Sequence, residues 1–180
     1  RRVLFRSQGR AYLRPPASLP YLSELVDSLT QITLGAAVGE ATMGRKVGYK
    51  AALWGAAFGT LPDLDVLVNP FVSEVTSLAI HRGLSHSFVI ALLTAPALAW
   101  GVSKIHSGLS RSPSDKPVTW RDWTPLVLLV LVTHIILDSL TSYGTQVFQP
   151  LTDYRLSIPS IFIIDPVYTV PLAIGLLLGF

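Results

Sequence analysis

Apolar residues run along this chain in long blocks, each ended by a polar turn or a proline. Residues 27–43 (DSLTQITLGAAVGEATM) read as a helix rich in small residues, followed by a polar turn from Gly44 to Gly48 that carries Arg45 and Lys46. Residues 49–61 read as a second helix, which Pro62 stops because proline cannot extend the hydrogen-bond ladder. Both blocks carry a small-xxx-small pattern, Gly35/Gly39 and Gly55/Gly59, of the kind that lets helix backbones approach closely in lipid. Residues 66–80 form a mixed connector with Pro70, and 86–103 an apolar helix across Pro96. A polar loop is expected from Lys104 to Thr124. The most apolar run is 125–140 (PLVLLVLVTHIILDSL), which as a helix spans only about 24 Å against roughly 30 Å of bilayer hydrocarbon. A polar loop with aromatics over 143–159 precedes a last apolar segment from near Ser160.

Composition turns this pattern into a class. Half of the 180 residues are hydrophobic and only 14% are charged, where a soluble domain usually carries about a quarter. Mean hydropathy is +0.50. The expectation is an all-α, polytopic membrane protein with about four to five membrane-associated helices. Residues 1–20 are read as a non-native or disordered tail, and 21–180 as one membrane-embedded domain that is incomplete at its C-terminus. The net charge of +3 is misleading, because five of the fourteen basic residues (Arg1, Arg2, Arg6, Arg10, Arg14) lie in that tail. The remaining chain sets nine basic against eleven acidic side chains, a balance of −2, so no nucleic-acid partner is expected. With no cysteine, any metal must sit on His, Asp or Glu.

Ionisable groups beside membrane helices are costly, so they mark where chemistry would lie. Three clusters stand out. Asp63 and Asp65 follow the stop at Pro62, where they would clasp a cation or simply serve a turn. His81 and His86 flank Arg82 and Gly83; about 140° apart on a helix, they need a turn at Gly83 to converge, with Ser85 capping the helix that follows. His134 and Asp138 are four apart on the most apolar helix, about 40° apart on one face; as a bland alternative, they form a polar pair between helices. His106 sits in the expected polar loop and is read as solvated. If consecutive helices run antiparallel, all three clusters meet at one membrane face, with Asp27 and Gln31 on the same side. His and Asp ligands suit Zn, and also Mn or Fe(II). Six such ligands suffice for two or more ions, an arrangement that favours phosphoester hydrolysis.

The motifs taken together resemble a known family. Residues 27–41 (DSLTQITLGAAVGEA), 44–67 (GRKVGYKAALWGAAFGTLPDLDVL), 81–87 (HRGLSHS), 134–146 (HIILDSLTSYGTQ) and 160–169 (SIFIIDPVYT) resemble the YdjM-like family of inner-membrane metal-dependent hydrolases. That family looks related to the zinc-dependent phospholipase C and single-strand nuclease superfamily. The resemblance implies a phosphoester-directed hydrolase in which Asp63, Asp65, His81, His86, His134 and Asp138 hold the metal. Many relatives carry Thr-His in the first motif where this chain has Thr30-Gln31, so one ligand is weakened or missing.

The leading expectation is a membrane-bound hydrolase of a lipid or lipid-linked phosphoester, working through metal-activated water with Asp65 or Asp138 as general base. Arg82 is a further candidate at the site. From a different class comes a metal-ion transporter or a non-catalytic membrane factor using the same His/Asp set. A metal-free lipid phosphatase with His134 as nucleophile needs a Pro-Ser-Gly-His motif that is absent. Seven basic residues fall opposite the clusters (Arg45, Lys46, Lys50, Lys104, Arg111, Lys116, Arg121) and two beside them (Arg82, Arg155). By the positive-inside rule the site is expected on the extracytoplasmic face. Oligomeric state is not readable.

Overall fold

The computed structural model describes the backbone of residues 18–73, 82–109, 118–160 and 166–178, and the side chains of 28–67, 71–73, 82–108, 118–160 and 167–178. It is all-helical, and among the described residues the only β-pairing is an isolated bridge between Thr145 and Leu156. Helix α1 (Ser18–Val47) and helix α2 (Lys50–Thr60) form a hairpin. Gly48 makes the turn at φ +63°, a left-handed conformation that costs glycine little, and its N–H closes on the Gly44 carbonyl at 2.8 Å.

The two glycine pairs are the seam of that hairpin. A Cβ at Gly35 would collide with the Gly55 carbonyl, one at Gly39 with the Ala51 carbonyl, and one at Gly59 with the Gln31 carbonyl. The spacing seen in the sequence is therefore used for backbone-to-backbone contact within one chain. Pro62 ends α2, and the chain winds on as a 3₁₀ helix (Pro62–Phe71) that carries Asp63 and Asp65. This replaces the first part of the expected connector.

Helix α3 (Phe88–Leu109) and helix α4 (Trp120–Ser139) pack side by side, and α4 also touches α1 and α2. The expected polar loop over 104–124 is shorter than its composition implied. Helix α3 runs through Lys104 and His106 to Leu109, while α4 begins at Trp120 behind a capping box. There the Thr119 hydroxyl and N–H both donate to Asp122 Oδ2, at 2.8 and 2.9 Å. The early start extends α4 to twenty residues, about 30 Å, which removes the shortfall against the bilayer. His106 is not solvated: it is buried, with its ring 5.0 Å from that of Trp123. The core along these helices is Ala91, Ala95, Ala99 and Val102 of α3 against Trp123, Leu126, Val127, Val130 and Ile135 of α4.

Phe88–Gly108 and Trp120–Ser139 are long and apolar enough to cross a membrane, and Val167–Leu178 is apolar but shorter. Leu92, Leu93, Trp100 and Ile105 stay exposed on α3, as a lipid-facing surface requires. Helix α5 (Pro166–Leu178) returns to α1, where the Thr169 and Thr30 hydroxyls bond at 2.8 Å.

Candidate metal centre

Four side chains from three elements converge where α2 ends, α3 begins and α4 ends. One ligand atom from each of Asp63, His86, His134 and Asp138 lies within 4.8 Å of every other. His134 and Asp138 come from one face of α4, as their spacing of four requires. His86 closes a short 3₁₀ turn (Leu84–His86) directly before α3. That turn is braced from the far side, since the Gln146 N–H donates to the Arg82 carbonyl and the Phe88 N–H to the Val147 carbonyl. Ser87, not Ser85, caps α3: its hydroxyl accepts from the Val89 and Ile90 N–H groups at 3.2 and 3.5 Å.

The hydrogen bonds around the two imidazoles fix their tautomers. His134 Nδ1–H donates to the Gly59 carbonyl at 2.9 Å. The Ser85 hydroxyl donates to Asp65 Oδ2 at 3.0 Å, which leaves its lone pairs to accept from His86 Nδ1–H at 2.9 Å. With both rings neutral, the two Nε2 atoms present lone pairs, and they face each other 3.1 Å apart. Two lone pairs in that position repel unless a metal ion or a proton lies between them.

The carboxylates complete the set. Asp63 Oδ1 is 3.3 Å from His86 Nε2 and 3.4 Å from His134 Nε2. Asp138 Oδ2 is 3.0 Å and 3.6 Å from the same two atoms, and it accepts no hydrogen bond of normal geometry although it is buried. Ligands at about 2.0–2.2 Å from a tetrahedral ion stand about 3.3–3.6 Å from one another. The five observed separations bracket that value, so the donor set fits one divalent cation of the zinc kind. Burial alone would lower the His86 pKa, but the Asp138 and Asp63 carboxylates outweigh it and raise it to about 9. Burial likewise opposes ionisation of Asp63, and its bonds to His134 and His86 outweigh that and hold it well below the usual carboxylate range.

Three of the four ligands are at most 1% exposed, whereas the Asp63 side chain is 19% exposed and is the open edge of the centre. Around them lies a second layer. Gln31 Nε2 donates to Asp138 Oδ1 at 2.9 Å, so Gln31 orients a ligand instead of contributing to the four-atom set. Arg82 is buried, with Nε 3.4 Å from Asp138 Oδ2 and Nη1 donating to the Thr141 hydroxyl at 2.9 Å. Its backbone sits at φ +55°, a strain on the order of 1–3 kcal/mol for a non-glycine residue.

Of the residues singled out from sequence, the structure brings Asp63, His86, His134 and Asp138 together. It places Asp65 outside that set, against the Nδ1 side of His86 at 3.6 Å, because the 3₁₀ turn points two carboxylates two residues apart in different directions. His81 and the side chain of Asp27 lie outside the described residues. The described residues gather one donor set of this kind. Sequence reasoning missed Ser85 and Thr141 as partners of the site; neither has a spacing signal, since each acts through a turn.

The family model for the YdjM inner membrane protein matches residues 26–180, a span that contains every residue of the centre. This chain belongs to the YdjM inner membrane protein family. The family's description names a membrane, and the two helices among the described residues that are able to cross one agree with it. No curated protein and no solved structure matches the chain. In this YdjM-family chain the candidate metal centre therefore rests on its own geometry.

Proposed function

We propose that the protein is a membrane-embedded, metal-dependent hydrolase of a phosphoester carried on a lipid or lipid-linked headgroup. The observation that carries the reading is the pair of lone-pair-bearing Nε2 atoms 3.1 Å apart, flanked by two carboxylates at cation-ligand spacing. Zinc fits this nitrogen and oxygen set best, with Mn or Fe(II) as poorer matches. Bound there, such an ion would supply Lewis acidity toward a phosphoryl oxygen and acidify water. His86, His134 and Asp138, buried and braced, would hold it. Asp63, the least buried of the four, would yield room for substrate, and its Oδ2, buried and without a hydrogen-bond partner, would be an acceptor for a proton from attacking water. The centre lies at the ends of the apolar helices, which in a bilayer would set it near headgroup depth, and the substrate is therefore read as lipid-borne. We place it on the extracytoplasmic face of the inner membrane.

One feature favours a second reading. Four protein donors around one ion resemble a closed site more than a catalytic one, which usually keeps a position open. A metal-ion transporter or a non-catalytic membrane factor would suit that. The test uses the full chain in detergent and in liposomes, measuring bound metal, hydrolysis of a generic phosphodiester and a headgroup phospholipid, and ion flux. His134→Ala and Asp138→Asn are expected to remove most bound metal and to lower turnover at least about 100-fold. His106→Ala, in the core between α3 and α4, is expected to cost stability and spare both. Flux without turnover would replace the hydrolase reading with transport, and less than about half an ion per chain would end both.

A further inference from the structure

Asp65 stands apart from the four donors yet bonds to the framework that carries two of them. Its Oδ2 accepts from the Ser85 hydroxyl at 3.0 Å and from the Arg82 backbone N–H at 3.0 Å. The first bond leads through Ser85 to His86 Nδ1 and so decides which ring nitrogen faces the centre. The second holds Arg82 in its left-handed conformation, from which the guanidinium reaches past Thr141 to Asp138. One carboxylate oxygen thus fixes two of the four ligands, a histidine through a hydroxyl and an aspartate through a strained backbone. His134 is held differently, by the neutral Gly59 carbonyl. Carboxylate partners on a ligating imidazole are a common way of setting its tautomer and ring orientation.

We propose that Asp65 is not a ligand but the positioning residue of the centre, acting on His86 through Ser85 and on Asp138 through Arg82. This rests on the cation-binding part of the function proposed above and is independent of hydrolysis. Without Asp65 the Ser85 hydroxyl loses its acceptor and is free to donate to His86 Nδ1. The ring then carries its proton on Nε2, toward the cation. Asparagine keeps the shape of Asp65 but offers a weaker acceptor, or an amide donor, at the same point.

The test uses Co²⁺ as the probe on the full chain in detergent, reading affinity by chelator competition and coordination by visible absorption. Asp65→Asn and Ser85→Ala are expected to weaken Co²⁺ binding about 10–100-fold while leaving the position and intensity of the absorption bands unchanged. Ser85→Thr, which restores the hydroxyl, is expected to bind within about threefold of the unaltered chain. A changed band pattern in Asp65→Asn would make Asp65 a ligand and overturn the proposal. Unchanged affinity in both Asp65→Asn and Ser85→Ala would do so too, as would absence of Co²⁺ binding by the unaltered chain. Should Asp65→Asn fail to fold, as judged by circular dichroism, the Ser85 pair decides alone. If the unaltered chain binds Co²⁺ with this pattern but hydrolyses no phosphodiester, the hydrolase reading falls and the positioning role stands.

Discussion

A proton and a divalent cation compete for the same lone pair on His86. In the metal-free protein the carboxylates of Asp138 and Asp63 raise that proton's pKa to about 9 from 6.5, so near neutral pH the ring is charged and the proton does part of the cation's work. Because the pKa is raised by folding, the proton's contribution to stability is fully present below pH 6.5 and is lost as the pH climbs through about 9. Metal binding must expel it. Affinity for Zn²⁺ is therefore expected to rise about tenfold per pH unit from pH 6.5 and to level off only near 9. Competition titrations across that range check this, and levelling near pH 6.5 would show that the carboxylates do not act on His86. At this scale the sequence was legible where a helix set the geometry: His134 and Asp138 share a face because α4 has 3.6 residues per turn. It was not legible for Asp63 and Asp65, whose roles part because a 3₁₀ turn sends them in different directions, nor for Gln31, whose partner Asp138 lies 107 residues away.

Among the elements, the hairpin of α1 and α2 connects packing to chemistry. The Gly59 carbonyl holds His134 Nδ1–H, and Gly59 itself lies against the Gln31 backbone, whose side chain bonds Asp138. Any change in the separation of these two helices therefore moves both groups that orient the α4 ligands. Gly55→Ala puts a Cβ into the Gly35 carbonyl and must push the helices apart. It is expected to destabilise the fold by about 1–3 kcal/mol and to weaken metal binding, although Gly55 touches no ligand. Gly101→Ala on α3, where a Cβ meets nothing within 4 Å, is the control and is expected to leave metal binding unchanged. Thermal melts with and without metal separate the two. The elements themselves were largely readable, since apolar runs and prolines mark α2, α3 and α4. The interval between α3 and α4 was misjudged because Lys104 and His106 are polar; Lys104 lies over the Trp100 ring one turn back on α3, and His106 packs against Trp123, a contact that only the paired helices create.

For the whole molecule, the remaining question is which side of the membrane the centre meets. Helix α3 leaves the centre at Phe88 and α4 returns to it at Asp138, so both membrane-length helices have one end there. Arg45, Lys46, Lys50, Lys104 and Arg121 gather at the opposite end, where Lys46 pairs with Asp122 and ties α1 to the start of α4. At the centre's end stand Arg82, which is buried and engaged with Asp138, and Arg155, which shares the Tyr143 ring with it. Lys and Arg in short loops favour the cytoplasm, and the orientation proposed above, with the basic end inward and the centre outward, follows from that rule. The absence of cysteine makes the prediction simple to check by single-cysteine labelling. Tyr49 is exposed in the turn between α1 and α2 at the basic end, and Thr152 is exposed in the loop beyond α4 at the other. In intact cells a membrane-impermeant maleimide is expected to label Thr152→Cys and to spare Tyr49→Cys until the membrane is opened. The reverse pattern would put the centre in the cytoplasm and limit its substrates to inner-leaflet headgroups.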